Sequence, residues 1–139
     1  NIPKHLWFYI YDEDILASRC YSPSIKSLDN VPKECSSLQF EIYFSKDKPL
    51  KMDSQELIQH VIEASDKMGL FKEEDIVVKD CRILEYGNVI FNHGMEDNRK
   101  IVLDYLQEKN IKTIGRFSKW EYLWSDQSLL SGREICKID

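Results

Sequence analysis

The sequence predicts an α+β fold with a largely antiparallel sheet and about three packed helices, and three observations lead there. Two adjacent strand-like segments near the start read as a hairpin, and a clean apolar-polar alternation marks another strand after a long loop. Two later segments place apolar residues at helical spacing between start and stop signals. Strand and helix signals then alternate without the glycine-rich turn of a parallel nucleotide-binding sheet. The expected order is β-β-β-α-β-α-β-α.

Residues 6–11 read as the first strand, with Leu6, Phe8 and Ile10 on one face and Trp7, Tyr9 and Tyr11 on the other. Asp12, Glu13 and Asp14 make an acidic turn, which as a hairpin tip is solvated charge and not a catalytic cluster. Residues 15–21 form the returning strand. Ser, Pro, Asp and Asn crowd residues 22–37, which predicts a long exposed loop and a secondary candidate for substrate contact. In residues 38–44, Leu38, Phe40, Ile42 and Phe44 face a core while Gln39, Glu41 and Tyr43 face outward.

Asp53 followed by Glu56 is a capping-box start for a helix whose inner face carries Leu57, Ile58, Val61, Ile62, Ser65 and Met68. Gly69 ends it. Residues 76–84 read as a strand and 88–91 as a short extended piece. A second amphipathic helix occupies residues 94–110, with Ile101, Val102, Tyr105 and Leu106 inward and Asn110 as a left-handed cap. Residues 111–114 predict a short strand, and the last helix runs over about 126–137.

Composition narrows the function classes. At 139 residues, 42% hydrophobic and 31% charged, the chain is one globular domain or part of one. Its net charge is −5 and its basic residues are scattered, which argues against nucleic acid as a partner. The longest apolar run, residues 6–11, is too short to span a bilayer, and no signal peptide is recognisable. Cys20, Cys35, Cys81 and Cys136 lack metal or disulfide spacing, and free thiols in a reducing compartment are expected. His5, His60 and His93 are equally scattered, so no metal site is expected. The first residue is Asn, not Met, which suggests a piece of a longer protein.

No catalytic constellation is complete: GxSxG, HExxH and GxGxxG are missing, and only five glycines exist. The informative stretch is 115–132, which holds two of the three tryptophans. It reads as strand end, aromatic loop and helix start. Gly115 and Arg116 follow the strand, and Arg116 is a planar cation able to grip a diphosphate or to join a surface salt bridge. Trp120, Tyr122 and Trp124 supply rings for a flat ligand or plugs for a core. Ser125 or Asp126 caps the helix, leaving amides near Gln127 and Ser128 aimed outward at negative charge. Ser131 and Gly132 allow close approach, whether by a ring or by a packed backbone.

The run GRFSKWEYLWSDQSLLSG resembles the C-terminal flavin-contacting segment of FAD-dependent amine-oxidase-like proteins. That group includes protoporphyrinogen-oxidase-like proteins and UDP-galactopyranose mutases of polysaccharide biosynthesis. The preceding ELIQHVIEASDKMGLFKEEDIVVKDCRILEYGNVIF and IVLDYLQEKNIKTIGRF are similar to the run-up to it, so the likeness covers about residues 38–137.

The resemblance implies a fragment of an FAD-linked reductase-type fold: a C-terminal, substrate-domain piece spanning 1–139, with residues 111–138 in the flavin-contacting part. The dinucleotide-binding half would lie N-terminal to it. It implies FAD in the full-length parent, a nucleotide-sugar or other small-molecule substrate, mutase or oxidase chemistry, and a cytoplasmic location. Cofactor contact would fall to Gly115, Arg116, Trp124, Asp126, Gln127 and Ser128, and substrate contact to Trp120 and Tyr122. Arg116 departs from the acidic residue of many amine oxidases and sides with the mutases, whereas SDQSLLSG is closer to the oxidase helix start. Phe91 and Asn92 replace a Tyr and Asp common in related sequences. No catalytic residue is assigned. The rival expectation is a stand-alone carbohydrate-binding or interaction module using Trp7, Tyr9, Tyr11 and the 22–37 loop.

Overall fold

A computed structural model describes residues 4–136, which form two compact units, Asn1–Ile83 and Leu84–Asp139. The architecture is α+β, a three-stranded antiparallel sheet with five helices among the described residues, three of them long.

In the first unit, β1 (Trp7–Tyr9) and β2 (Ala17–Tyr21) make the expected hairpin, with Trp7 opposite Tyr21 and Tyr9 opposite Arg19. The acidic turn closes through Ile15 N–H donating to Asp12 O at 3.2 Å. β3 (Gln39–Ile42) pairs with the other edge of β2, with Arg19 opposite Glu41 and a register shift between Ala17 and Arg19. The alternation is obeyed: Phe8, Ile10, Cys20, Phe40 and Ile42 pack into one cluster with Ile15, Ala17, Leu38, Ala64 and Met68. Phe44 lies past the end of β3 and is exposed, against expectation.

Helix α2 (Ser54–Lys67) forms because its ends are well specified. Asp53 Oδ1 accepts from Gln55 N–H and Glu56 N–H at 2.8 and 2.9 Å, and Glu56 Oε2 accepts from Asp53 N–H at 2.8 Å. At the other end Gly69 has φ +69°, and Gly69 N–H and Leu70 N–H reach back to Asp66 O and Ser65 O, both at 2.9 Å. Two contacts fix the helix to the hairpin. His60 Nε2 accepts from Leu16 N–H at 3.0 Å, and Lys67 Nζ pairs with Asp14.

Residues 22–37 are folded where a long exposed loop is expected. Helix α1 (Pro23–Lys26) and a 3-10 turn (Leu28–Asn30) occupy them, and Ser22 and Ser24 are buried. Hydroxyls satisfy the backbone here: Ser24 N–H donates to Ser37 Oγ at 3.1 Å, Ser37 N–H to Ser24 Oγ at 3.2 Å, and Ser22 Oγ to Ser37 O at 3.0 Å. Serine-rich composition marks a pinned segment in this case. The strand expected over 76–84 does not form; after a 3-10 turn (Glu73–Asp75) the chain is irregular, and Val77 and Val78 are exposed. β-Branched residues favour a pleated surface only when a neighbouring strand supplies the ladder.

The second unit is helical. α3 (Met95–Glu108) ends as expected on Asn110 at φ +56°, with Asn110 N–H and Ile111 N–H donating to Gln107 O and Leu106 O, both at 2.9 Å. Its expected inner face is not covered: Ile101, Val102 and Tyr105 are exposed, Leu106 is half-buried and Met95 alone in the helix is buried. Among the described residues neither the extended piece at 88–91 nor the strand at 111–114 joins a β-ladder, although Val89 is buried. Gly115 therefore ends no strand. It opens a short helix, α4 (Gly115–Lys119), and α5 (Ser125–Ile135) follows. Lys137 and Ile138, assigned to the last helix or its flavin-contacting part, lie outside the described residues. Among the described residues no helix is long and apolar enough to cross a membrane.

Candidate functional site

The site is built from the joint between α4 and α5. Gly115, at φ +74°, donates its N–H to Ser131 Oγ at 2.9 Å, and that hydroxyl donates to Ser128 O at 2.8 Å. This chain of two bonds locks α4 onto α5. Ser131 is consequently a buried bracket between helices, not an approach for a ring. α4 ends in the same geometry as α2 and α3, with Trp120 N–H and Glu121 N–H donating to Phe117 O and Arg116 O at 3.3 and 3.1 Å. The residue at the left-handed position, φ +50°, is Trp120. Backbone strain of this kind gathers at functional sites.

The turn throws Tyr122 back over Arg116. The guanidinium carbon sits 4.7 Å from the ring centroid, and Arg116 Nη2 donates to Asn88 Oδ1. Phe91 and Trp124 stand edge-on to Tyr122 at 6.1 and 6.4 Å, while Trp120 packs edge-on against Phe117 at 6.4 Å. Tyr122, Trp124, Phe91, Phe117 and Trp120 all stay substantially exposed, so the rings do not plug a core. The surface salt bridge open to Arg116 does not form: no carboxylate among the described residues pairs with it. Its Nε is buried without a hydrogen-bond partner.

The start of α5 differs from expectation. Trp124 occupies the cap position, and Gln127 Oε1 accepts from Trp124 N–H at 2.8 Å. Asp126 makes no capping bond, though its charge lies in the first turn. Ser128 N–H already donates to Trp124 O at 2.9 Å, so it is not an outward donor. The amides that an α-helix leaves without an internal partner are those of Ser125, Asp126 and Gln127.

The structure thus gathers Arg116, Tyr122 and Trp124, holds Gly115 and Ser128 to Ser131, and places Trp120 in a separate ring pair. Phe91, noted above only as a departure from related sequences, joins the arrangement, and Asn88 and Arg99 complete it without local sequence signals. Arg99 fastens the 119–121 segment to α3: its Nη1 meets Glu121 Oε1 at 2.7 Å and its Nη2 meets Glu96 Oε2 at 2.7 Å. These bonds, that to Glu121 foremost, push the Arg99 guanidinium further up in pKa.

Elsewhere the four cysteines are free thiols, and burial pushes that of Cys20 up to about 12, which leaves it inert as a nucleophile. Compared with family models, curated proteins and solved structures, the chain finds no match.

Proposed function

We propose that this chain forms the flavin-edge and substrate-side wall of an FAD-dependent enzyme, mutase-like or amine-oxidase-like, in cell-surface polysaccharide biosynthesis. The observation that carries the reading is Arg116. In an acidic chain, this cation has no carboxylate partner among the described residues, sits over the Tyr122 ring and keeps a buried, unpaired Nε. An anionic, flat ligand supplies what that arrangement lacks: an acceptor for the guanidinium and a ring for Tyr122 and Trp124.

The donor set fits one edge of a flavin or a sugar diphosphate. It does not include a glycine-rich cradle for the dinucleotide, which the proposal assigns to a separate half. When bound, the flavin would supply the redox or nucleophilic chemistry. The chain's part is to hold the diphosphate through Arg116, to position a ring against Tyr122 and Trp124, and to favour negative charge at the first turn of α5. The reading also accounts for the uncovered face of α3 and the unpaired 76–84 and 111–114 segments as surfaces made for a larger fold.

FAD titrated into this chain alone should give no tight, stoichiometric complex. Mixed with the GxGxxG-bearing half encoded with it, the chain should give a yellow complex that Arg116→Ala weakens about tenfold or more. Tight FAD binding by the chain alone, or a complex indifferent to Arg116, overturns the proposal.

A further inference from the structure

The outward face of the sheet in the first unit is a second arrangement of chemistry-bearing residues, with no dependence on the flavin reading. Strand register sets it out in two rows. Trp7, Tyr21 and Gln39 lie side by side across β1, β2 and β3, and Tyr9, Arg19 and Glu41 form the next row. At ordinary sheet spacing the rows are roughly 7 Å apart and span roughly 10 Å. Tyr43, the residue after β3, reaches the same face through its hydroxyl bond to Glu41. The rings are open to solvent: Trp7 is 48%, Tyr9 56% and Tyr43 52% exposed. Among them Arg19 Nη2 meets Glu41 Oε1 and Oε2 at 2.7 and 2.8 Å, and the Tyr43 hydroxyl donates to Glu41 Oε2 at 2.6 Å.

We infer that this face is a binding platform for the pyranose rings of an uncharged saccharide. Charge decides the ligand class. Arg19 is neutralised by Glu41, so the face offers no net attraction to a phosphate, a sulfated chain or a nucleic acid backbone, each of which needs unpaired cations. Trp7, Tyr9 and Tyr21 gather towards β1 while Gln39, Arg19 and Glu41 fill the remaining positions of the two rows, so the rings adjoin fixed polar groups and the face is not the purely apolar surface that a lipid or a protein hot spot takes. A sugar has the matching pattern: apolar C–H faces that stack on rings, and a rim of hydroxyls that bond to carboxylate, guanidinium, phenol and amide groups. The Arg19–Glu41–Tyr43 bonds hold those polar groups in place before the ligand arrives, which lowers the cost of ordering them.

The test is chemical-shift mapping on the whole chain with cellohexaose and mannohexaose as neutral probes and a heparin hexasaccharide as the anionic control, all without flavin. At least one neutral probe should shift Trp7, Tyr9, Arg19 and Tyr43 with a Kd of about 1 mM or tighter. Tyr9→Ala should weaken it about tenfold with the sheet signals retained. Tyr43→Phe, which keeps the ring and drops the hydroxyl, should also bind more weakly and stands in if Tyr9→Ala does not fold. No shift at this face with either neutral probe at about 10 mM, tighter binding of the heparin fragment, or full affinity in the variant that folds overturns the inference. Because flavin is left out, failure here leaves the flavin reading standing, and the reverse holds.

Discussion

Glu41 shows how one residue ties sheet geometry to solution behaviour. Burial raises its pKa, but the Arg19 and Tyr43 hydrogen bonds outweigh burial and hold the carboxyl below the usual carboxylate range. A depressed folded value means that the unfolded chain binds the proton more readily. The stability is therefore present above about pH 4.3 and is lost as the pH falls through the lower folded value. Urea unfolding of the first unit between pH 3 and 7 should show that acid loss. Glu41→Gln should lower stability by about 1 kcal/mol at neutral pH, since the pair is partly exposed, and should flatten the acid slope. An unchanged slope would detach Glu41 from the effect. Trp120 allows a cleaner backbone measurement. Both Trp120→Gly and Trp120→Ala remove the ring that meets Phe117, but alanine keeps the left-handed penalty, so the glycine variant should be the more stable by about 1 kcal/mol in thermal unfolding. Equal melting of the two would show that Trp120 sits there without strain.

Elements were legible where their signals are local and lost where they depend on a partner. α2 was readable because Asp53, Glu56 and Gly69 act within a few residues of themselves, and every bond they imply is present. Gly69 tests this directly. Nothing lies within 4 Å of a Cβ built there, so Gly69→Ala suffers only from its φ of +69° and should cost about 1 kcal/mol, while Gly69→Asn should cost less. Urea midpoints of the two variants would settle the order, and a larger loss for asparagine would contradict it. By contrast, residues 76–84 and 111–114 carry strand composition with no edge to join, and propensity alone cannot supply a ladder. α4 was hidden because its stop signal is a tryptophan in a position that glycine or asparagine usually fills. The aromatic density of 115–132 was visible in the sequence, as was Arg116. Its setting was not, because Asn88 lies 28 residues away and Arg99 reaches Glu121 across 22.

At the scale of the molecule, apolar burial is unevenly divided. The first unit joins Ile10, Ile15, Ala17, Cys20 and Ala64 into one cluster and keeps Leu57, Ile62 and Leu70 buried as well. Of the hydrophobic residues in the second unit, Val89 and Met95 are buried, while α3 leaves Ile101 and Val102 exposed. Helices of this length are marginal in water unless an apolar face is covered, so local stability should follow the same division. Hydrogen exchange should find the amides of β2, β3 and α2 strongly protected and those of α3 exchanging through opening that costs several kcal/mol less. Residues 4–83 expressed alone should keep the sheet and α2, because every bond described for them closes within that unit. A hydrophobic dye should report the second unit's open face in the whole chain and lose most of its signal with residues 4–83. If the complementary flavin half exists as proposed, adding it should slow exchange in α3 and quench the dye together. Uniform protection across both units in the chain alone would show that the face of α3 needs no cover, and would remove that support from the flavin reading.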